Sequence, residues 1–346
     1  MPIEIAAYPE EAGLSSSALL SFFDQLEASG LEFHALTVLR HGKEVLRVSF
    51  APCSADKPHV LYSVSKSFTS MAAGFAVEEG LLSLDDRVVD ILKEDAPEKP
   101  DPYLASVTLH HLLCMGSGLR LESDRISHIT ETGDDENWAK AVMACGCDAQ
   151  PGTRFRYNSH GTYLVSCMVQ KVTGMNIRDY LMPRLFEPLG IEKPKWEMSP
   201  QGICCGGWGL YLSSVDLSRF GQCLLRGGVW KGRQLLPAAW LKMATAAQID
   251  TANRTPAPTI EWAQGYGYQF WRCTQNRYRG DGMYGQLLII DEARDMVIAV
   301  NAQIDDMAAE MALITDYLAP AVDAAPGTEE EKARLKVRIA ALAKEH

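Results

Sequence analysis

The sequence has no surplus of positive charge. Its 33 lysines and arginines face 44 aspartates and glutamates, a formal net charge of −11. Such a surface repels phosphate backbones and anionic lipid, which argues against nucleic acid or a membrane surface as partner. No apolar run approaches the roughly eighteen residues that a bilayer span needs. The start, Met1-Pro2-Ile3-Glu4-Ile5, has neither a basic nor a hydrophobic leader segment, so a cytoplasmic location is expected. Cysteines at C-x-x-C spacing are missing too. Of nine, only Cys145/Cys147 and Cys204/Cys205 stand close together, with no histidine at ligand spacing beside them. A four-thiolate zinc site could be drawn from those four, but reduced and mostly buried thiols suit such a chain better. Neither metal nor cofactor is expected.

Several catalytic signatures are absent as well. There is no G-x-S-x-G elbow, no H-E-x-x-H helix and no P-loop. Gly280-Asp281-Gly282-Met283-Tyr284-Gly285 does match G-x-G-x-x-G. A dinucleotide site requires that pattern to open a helix, and here Gln286-Leu287-Leu288-Ile289-Ile290 reads as a strand. Asn253-Arg254-Thr255 is a glycosylation sequon of little meaning without secretion.

What remains is an ordinary globular chain of 346 residues, 47% hydrophobic and 22% charged, long enough for about two domains. Ser15 to Ser29 reads as an amphipathic helix with Leu19, Leu20, Phe23 and Leu26 on one face and Gly30 as its stop. Ala35–Arg40 and Glu44–Phe50 form a hairpin about His41-Gly42-Lys43. From Ser63 to Ser199 the texture is helical, and helices are expected again over Val215–Arg226 and near Pro237–Ala247. Strands return at Tyr266–Cys273, Gln286–Asp291 and Met296–Gln303, joined by turns too short for parallel crossovers. A helix over Asp306–Leu318 covers that sheet, and Glu329–Glu345 is a charged amphipathic tail. The expected fold class is therefore mixed α/β: an antiparallel sheet flanked by helices, built from both chain ends, with an all-helical insertion. The expected bounds are 1–62 with 203–326 for the sheet domain, 63–202 for the helical domain and 327–346 for the tail.

S-x-x-K occurs twice, at Ser54/Lys57 and Ser63/Lys66, so the bare pattern carries little weight. Context separates the copies. Pro58 disfavours helical geometry at Lys57. Ser63 instead opens a run whose apolar positions, Val64, Phe68, Met71, Ala72, Phe75 and Ala76, keep helical spacing as far as Gly80. One turn then sets the Lys66 ammonium beside the Ser63 hydroxyl, and the helix start offers N–H groups where an oxyanion would form.

Phe155-Arg156-Tyr157-Asn158-Ser159 after the Pro151-Gly152-Thr153 turn changes the weight of that pair. With it, the chain resembles the serine β-lactamase and penicillin-binding superfamily, specifically the class C β-lactamase-like serine hydrolases. Leu61-Tyr62-Ser63-Val64-Ser65-Lys66 looks like the nucleophile motif. Leu112 to Leu119, Phe186-Glu187-Pro188-Leu189-Gly190-Ile191 and Gly206-Gly207-Trp208-Gly209-Leu210 resemble further family segments, in family order. Two departures stand out. The usual Y-x-N has Ser159 in third place, with Asn158 shifted forward. The third motif aligns with Gly280-Asp281-Gly282, which carries no lysine, although Arg279 is adjacent. A carboxylate-binding cation is thus missing, which tilts the expectation toward the esterase and amidase branch.

The resemblance implies a serine hydrolase that forms a covalent acyl-enzyme on a small-molecule or peptide ester or amide. Ser63 is the nucleophile, with Lys66 and Tyr157 together as base. Ser159, Asn158, Gly282 and Met283 are expected around the oxyanion and substrate, and Trp208 and Tyr284 beside the acyl group, with Trp138 and Tyr211 as further wall. Two alternatives stay open: a true β-lactamase or D-amino-acid peptidase, and a non-catalytic acyl- or peptide-binding module of the same fold.

Overall fold

The computed structural model describes residues 3–120, 137–252 and 259–344, so the sequon at Asn253 lies outside the described residues. The chain forms two compact units. The first gathers residues up to His59, Leu212–Arg226 and everything from Asp281 on; the second holds Val60–Tyr211 and Gly227–Gly280. Relative to the expected bounds, Gly227–Gly280 goes with the helices, and the tail belongs to the sheet unit.

In the sheet unit, the first long helix runs Ser16–Ser29. Ser15 caps it by accepting the Ala18 N–H, and Gly30 ends it at φ 67°. Its buried stripe is Leu19, Phe22, Phe23 and Leu26, spaced three and four apart; Phe22, not Leu20, completes the face. Strands Phe33–Arg40 and Lys43–Ser49 make the expected hairpin. His41 (φ 52°) and Gly42 (φ 78°) both take the left-handed conformation that a two-residue turn of this hand demands. The strand order is Glu4–Ile5, Lys43–Ser49, Phe33–Arg40, Met296–Ala302 and Gln286–Asp291. Only the first pairing is parallel. Leu36 faces Val300, and Val38 lies between Leu46 and Ile298. Gln286–Asp291 and Met296–Ala302 are buried throughout, so both sheet faces are covered there. Helix Ser214–Leu225 packs against those strands, and helix Met307–Leu313 follows them in the chain. The tail helix, Glu329–Leu342, opens with a Thr328/Glu331 capping box and buries only Leu335.

The helical unit is organised about helix Ser65–Glu78, buried from Ser65 to Ala76 and packed on helix Ser159–Thr173. A core helix of that kind needs apolar residues all round, which Phe68, Met71, Ala72, Ala73 and Ala76 supply. Strand Tyr278–Gly282 pairs with Trp271–Arg272, Trp271 opposite Arg279. That strand is not expected from the sequence, because Gly280, Asp281 and Gly282 have low β propensity. No helix among the described residues is long and apolar enough to cross a membrane.

Candidate active site

Ser63 stands in a 3-10 turn, Tyr62–Val64, and the α-helix proper begins at Ser65. The approach is tightly held. Leu61 N–H donates to the Leu210 carbonyl at 2.8 Å, and Tyr62 takes φ 43°. Ser65 fixes this bend, donating to the Tyr62 carbonyl at 2.6 Å while accepting the Leu210 N–H at 3.1 Å. Side chains three apart eclipse across such a turn, which brings Ser63 and Lys66 together.

Lys66 is 1% exposed. Its Nζ donates to Ser63 Oγ at 2.8 Å, Ser159 Oγ at 2.9 Å and the Gly207 carbonyl at 2.7 Å. Three oxygens match the three donors of an ammonium, the arrangement a buried cation needs. The Gly207 carbonyl can come this close because residue 207 has no side chain. A Cβ there would stand 2.6 Å from the Ser159 carbonyl oxygen and 3.2 Å from Ser159 Cβ. Gly207→Ala is therefore expected to push the carbonyl off Lys66, lowering ester turnover at least about tenfold and costing about 1–3 kcal/mol of stability. Steady-state kinetics with thermal melts checks this; an unchanged rate would show that the carbonyl is dispensable.

Tyr157 precedes helix Ser159–Thr173 and is half-buried. Its ring stacks on Trp271 (centroids 5.7 Å, planes 16° apart), and Tyr266 meets it edge-on at 6.2 Å. Lys66 Nζ is 4.8 Å from the centre of the same ring. Asn158 and Ser159 have different surroundings. Asn158 is buried and caps the helix, its Oδ1 accepting the Gly161 N–H at 3.1 Å. Ser159 is the residue that reaches Lys66. His160, the next residue, lies edge-on to Trp208 at 6.0 Å. Burial, and then the nearby Lys66 charge, bring its pKa down to about 4, so its imidazole is neutral near pH 7.

Trp208 is half-buried beside Gly207 and stacks on Trp138, itself 4% exposed, at 6.3 Å. Tyr211 donates to Glu197 Oε1 at 3.0 Å, and Lys195 Nζ lies 4.2 Å from its ring. Gly282, Met283 and Tyr284 belong to the sheet unit: Gly282 ends a strand, Met283 is 56% exposed and Tyr284 takes φ 63° in the turn that follows. Gln286, fully buried, ties that turn by donating to the Met283 and Tyr284 carbonyls at 3.3 and 3.2 Å.

Arg279 is not a surface cation. It is fully buried, donating to the Glu261 carbonyl and Cys273 Sγ, both at 2.9 Å, with its guanidinium 4.4 Å from the Trp262 ring. Gly280 meets the opposite side, where a Cβ would lie 3.0 Å from Ser67 Oγ and 3.2 Å from Val64 Cγ1. The second S-x-x-K lies in the sheet unit: Ser54 Oγ accepts the Asp56 N–H at 3.4 Å, and Lys57 is exposed. Seven of the nine cysteines are buried and all are free. Among the described residues, no group of three His, Cys, Asp or Glu is placed to hold a metal ion.

Three positions in this cluster carry no sequence signal of their own. The Gly207 acceptor is main chain, and Trp271 and Tyr266 reach Tyr157 from a distant part of the chain. Only the resemblance of Gly206-Gly207-Trp208 to a family segment pointed near one of them.

The family model described as Beta-lactamase matches residues 23–323. The 6-aminohexanoate-dimer hydrolase of Paenarthrobacter ureafaciens is 27% identical over 286 residues, 76% of this chain and 71% of that protein. The lovastatin esterase of Penicillium rubens is 29% identical over 159 residues, 40% of each chain. Among solved structures, a penicillin-binding protein homologue from Caulobacter crescentus superposes with a TM-score of 0.66 at 18% identity, covering 95% of this chain and 97% of that one. With a match over most of its length, the chain belongs to the β-lactamase family and is a serine hydrolase.

Proposed function

We propose that the protein hydrolyses small-molecule esters or amides through a covalent acyl-enzyme on Ser63, with Lys66 and Tyr157 completing the catalytic set. The observation that carries this reading is the Lys66 ammonium, buried and bonded at once to Ser63 Oγ, Ser159 Oγ and the Gly207 carbonyl. A binding module gains nothing from an interior cation aimed at a serine hydroxyl, whereas an acyl-transfer enzyme uses it to orient the nucleophile.

Ser63 Oγ attacks the acyl carbonyl while its proton passes to the Tyr157 oxygen. The carbonyl becomes an oxyanion, which we assign to the Ser63 N–H at the foot of the helix. Tyr157 returns the proton to the leaving alkoxide or amine as the C–O or C–N bond breaks. Water then attacks the acyl-enzyme, giving up a proton to Tyr157, which passes it back to Ser63 as the acid departs. Lys66 directs its N–H bonds at three oxygens and has no lone pair for the Ser63 proton in that form, which favours Tyr157 as the acceptor. The scheme requires Tyr157 to enter as phenolate, with the Lys66 ammonium, 4.8 Å from its ring centre, as the neighbouring countercharge.

Esters and simple amides are preferred over β-lactams. Gly280 stands where penicillin-recognising relatives carry a lysine, and Arg279 turns into the core. A lost charge-assisted contact costs about 1.5–3 kcal/mol, roughly ten- to a hundredfold in rate. The expected result is burst release from p-nitrophenyl butyrate, with kcat/KM at least about tenfold above that for nitrocefin. Equal values would favour the β-lactamase alternative, and the absence of any burst or turnover would favour a binding module.

A further inference from the structure

The helical unit buries a further cation, Arg279, that the reaction does not touch, and it lies behind the proposed base. The Arg279 guanidinium is 4.4 Å from the Trp262 ring and 5.9 Å from the Trp271 ring. Trp271 stacks on Tyr157 with planes 16° apart, and Lys66 Nζ is 4.8 Å from the Tyr157 ring centre. The series runs Arg279, Trp271, Tyr157, Lys66. Tyr266 braces both central rings edge-on, 4.9 Å from Trp271 and 6.2 Å from Tyr157. Phe155 closes on Trp271 and Tyr266 at 5.5 Å each, and Met115 completes the buried cluster.

We propose that Trp271, itself held by Arg279 and Tyr266, is a positioning residue that fixes the Tyr157 ring in the plane from which its oxygen serves Ser63. This rests on the assignment of Tyr157 as base. The physical need is plain. A tyrosine rotates about two side-chain bonds, and Tyr157 is only half-buried at the start of a helix. A proton transfer tolerates little wandering of the acceptor. Offset stacking on a large buried indole supplies a flat surface that restricts tilt, and the edge-on Tyr266 restricts sliding. Arg279 is anchored by the Glu261 carbonyl and Cys273 Sγ, and it pins the indole by cation–π attraction. Strand pairing adds a main-chain restraint, since Trp271 and Arg279 are directly opposed in the ladder.

The test is a double-mutant cycle on the full-length protein with p-nitrophenyl butyrate. Trp271→Met keeps apolar bulk but removes the flat face; Trp271→Phe keeps a smaller flat face. We expect Trp271→Met to lower kcat at least about tenfold with KM changed less than about threefold, and Trp271→Phe to retain most of kcat. In a Tyr157→Phe background, Trp271→Met should cost little more, because the ring it positions no longer carries the oxygen. Full, multiplicative penalties in the double variant would overturn the positioning role, as would equal losses in the Met and Phe forms. Should Trp271→Met fail to fold, Trp271→Phe in the two backgrounds carries the same comparison. A modest kcat loss confined to the Tyr157 background supports the proposal, and a loss of equal size in both overturns it. Wild-type activity in Tyr157→Phe alone is a different failure: it removes the base assignment itself.

Discussion

Ser63→Ala is expected to abolish hydrolysis of p-nitrophenyl esters and to leave no site for a fluorophosphonate. Intact-protein mass spectrometry should find one adduct on the wild type and none on the variant. The substitution deletes the acceptor 2.8 Å from Lys66 Nζ and costs about 1–3 kcal/mol, so the protein should stay folded at 25 °C with its melting temperature lowered by several degrees. Controls make the result specific. Ser54→Ala touches a loop of the sheet unit whose hydroxyl only meets the Asp56 N–H, and activity should be unchanged. Ser65→Ala removes two bonds that hold the Tyr62 bend. It should cost about 1–3 kcal/mol in stability while most turnover remains at 25 °C. An adduct on Ser54, or wild-type turnover in Ser63→Ala, would overturn the nucleophile assignment.

Tyr157→Phe is the second large effect. The ring survives, and with it the stack on Trp271 and the edge contact to Tyr266, so folding is preserved. The oxygen is lost, and with it the proposed acceptor for both acylation and deacylation. General-base loss typically costs about 10²–10⁴-fold. We expect at least about a hundredfold drop in kcat/KM with the melting temperature within a few degrees of wild type. A near wild-type rate would move attention to His160, which burial and the Lys66 charge keep neutral near pH 7. Its imidazole could accept a proton from that state.

Much of this cluster is legible in the sequence, for reasons that differ residue by residue. Ser63 and Lys66 are visible because a helical apolar period surrounds one S-x-x-K and a proline spoils the other. Ser159 is visible only as a departure from a pattern. Its contact with Lys66 depends on which of two adjacent polar residues turns inward, and helix capping takes Asn158 for another task. Arg279, adjacent to the third motif, turns away from it for a simple geometric reason. Neighbours on a strand point to opposite faces, so when Gly280 faces Ser67 and Val64, Arg279 faces Glu261 and Trp262. Sequence adjacency to the third motif therefore excludes the residue from that face instead of placing it there. At the level of the fold, the buried strands Gln286–Asp291 and Met296–Ala302 are legible from continuous β-branched and aliphatic runs. Strand Tyr278–Gly282 is not, because tertiary pairing overrides two glycines and an aspartate.

Gly280 also limits how this chain could acquire a new specificity. A lysine at that position is the obvious single step toward gripping a substrate carboxylate. Its Cβ would arrive 3.0 Å from Ser67 Oγ and 3.2 Å from Val64 Cγ1, at the very start of the nucleophile helix. The added side chain would therefore press on the segment that aims Ser63 before its charge met any ligand. Ser67→Ala removes the nearer obstacle, yet it also gives up the hydrogen bond from Ser67 Oγ to the Gln269 carbonyl at 3.0 Å. A cation at 280 is thus tolerated only as far as Ser67 and Val64 give way by a few tenths of an ångström. Directed evolution toward a carboxylate grip at position 280 is therefore expected to select compensating changes at Ser67 or Val64 together with the lysine.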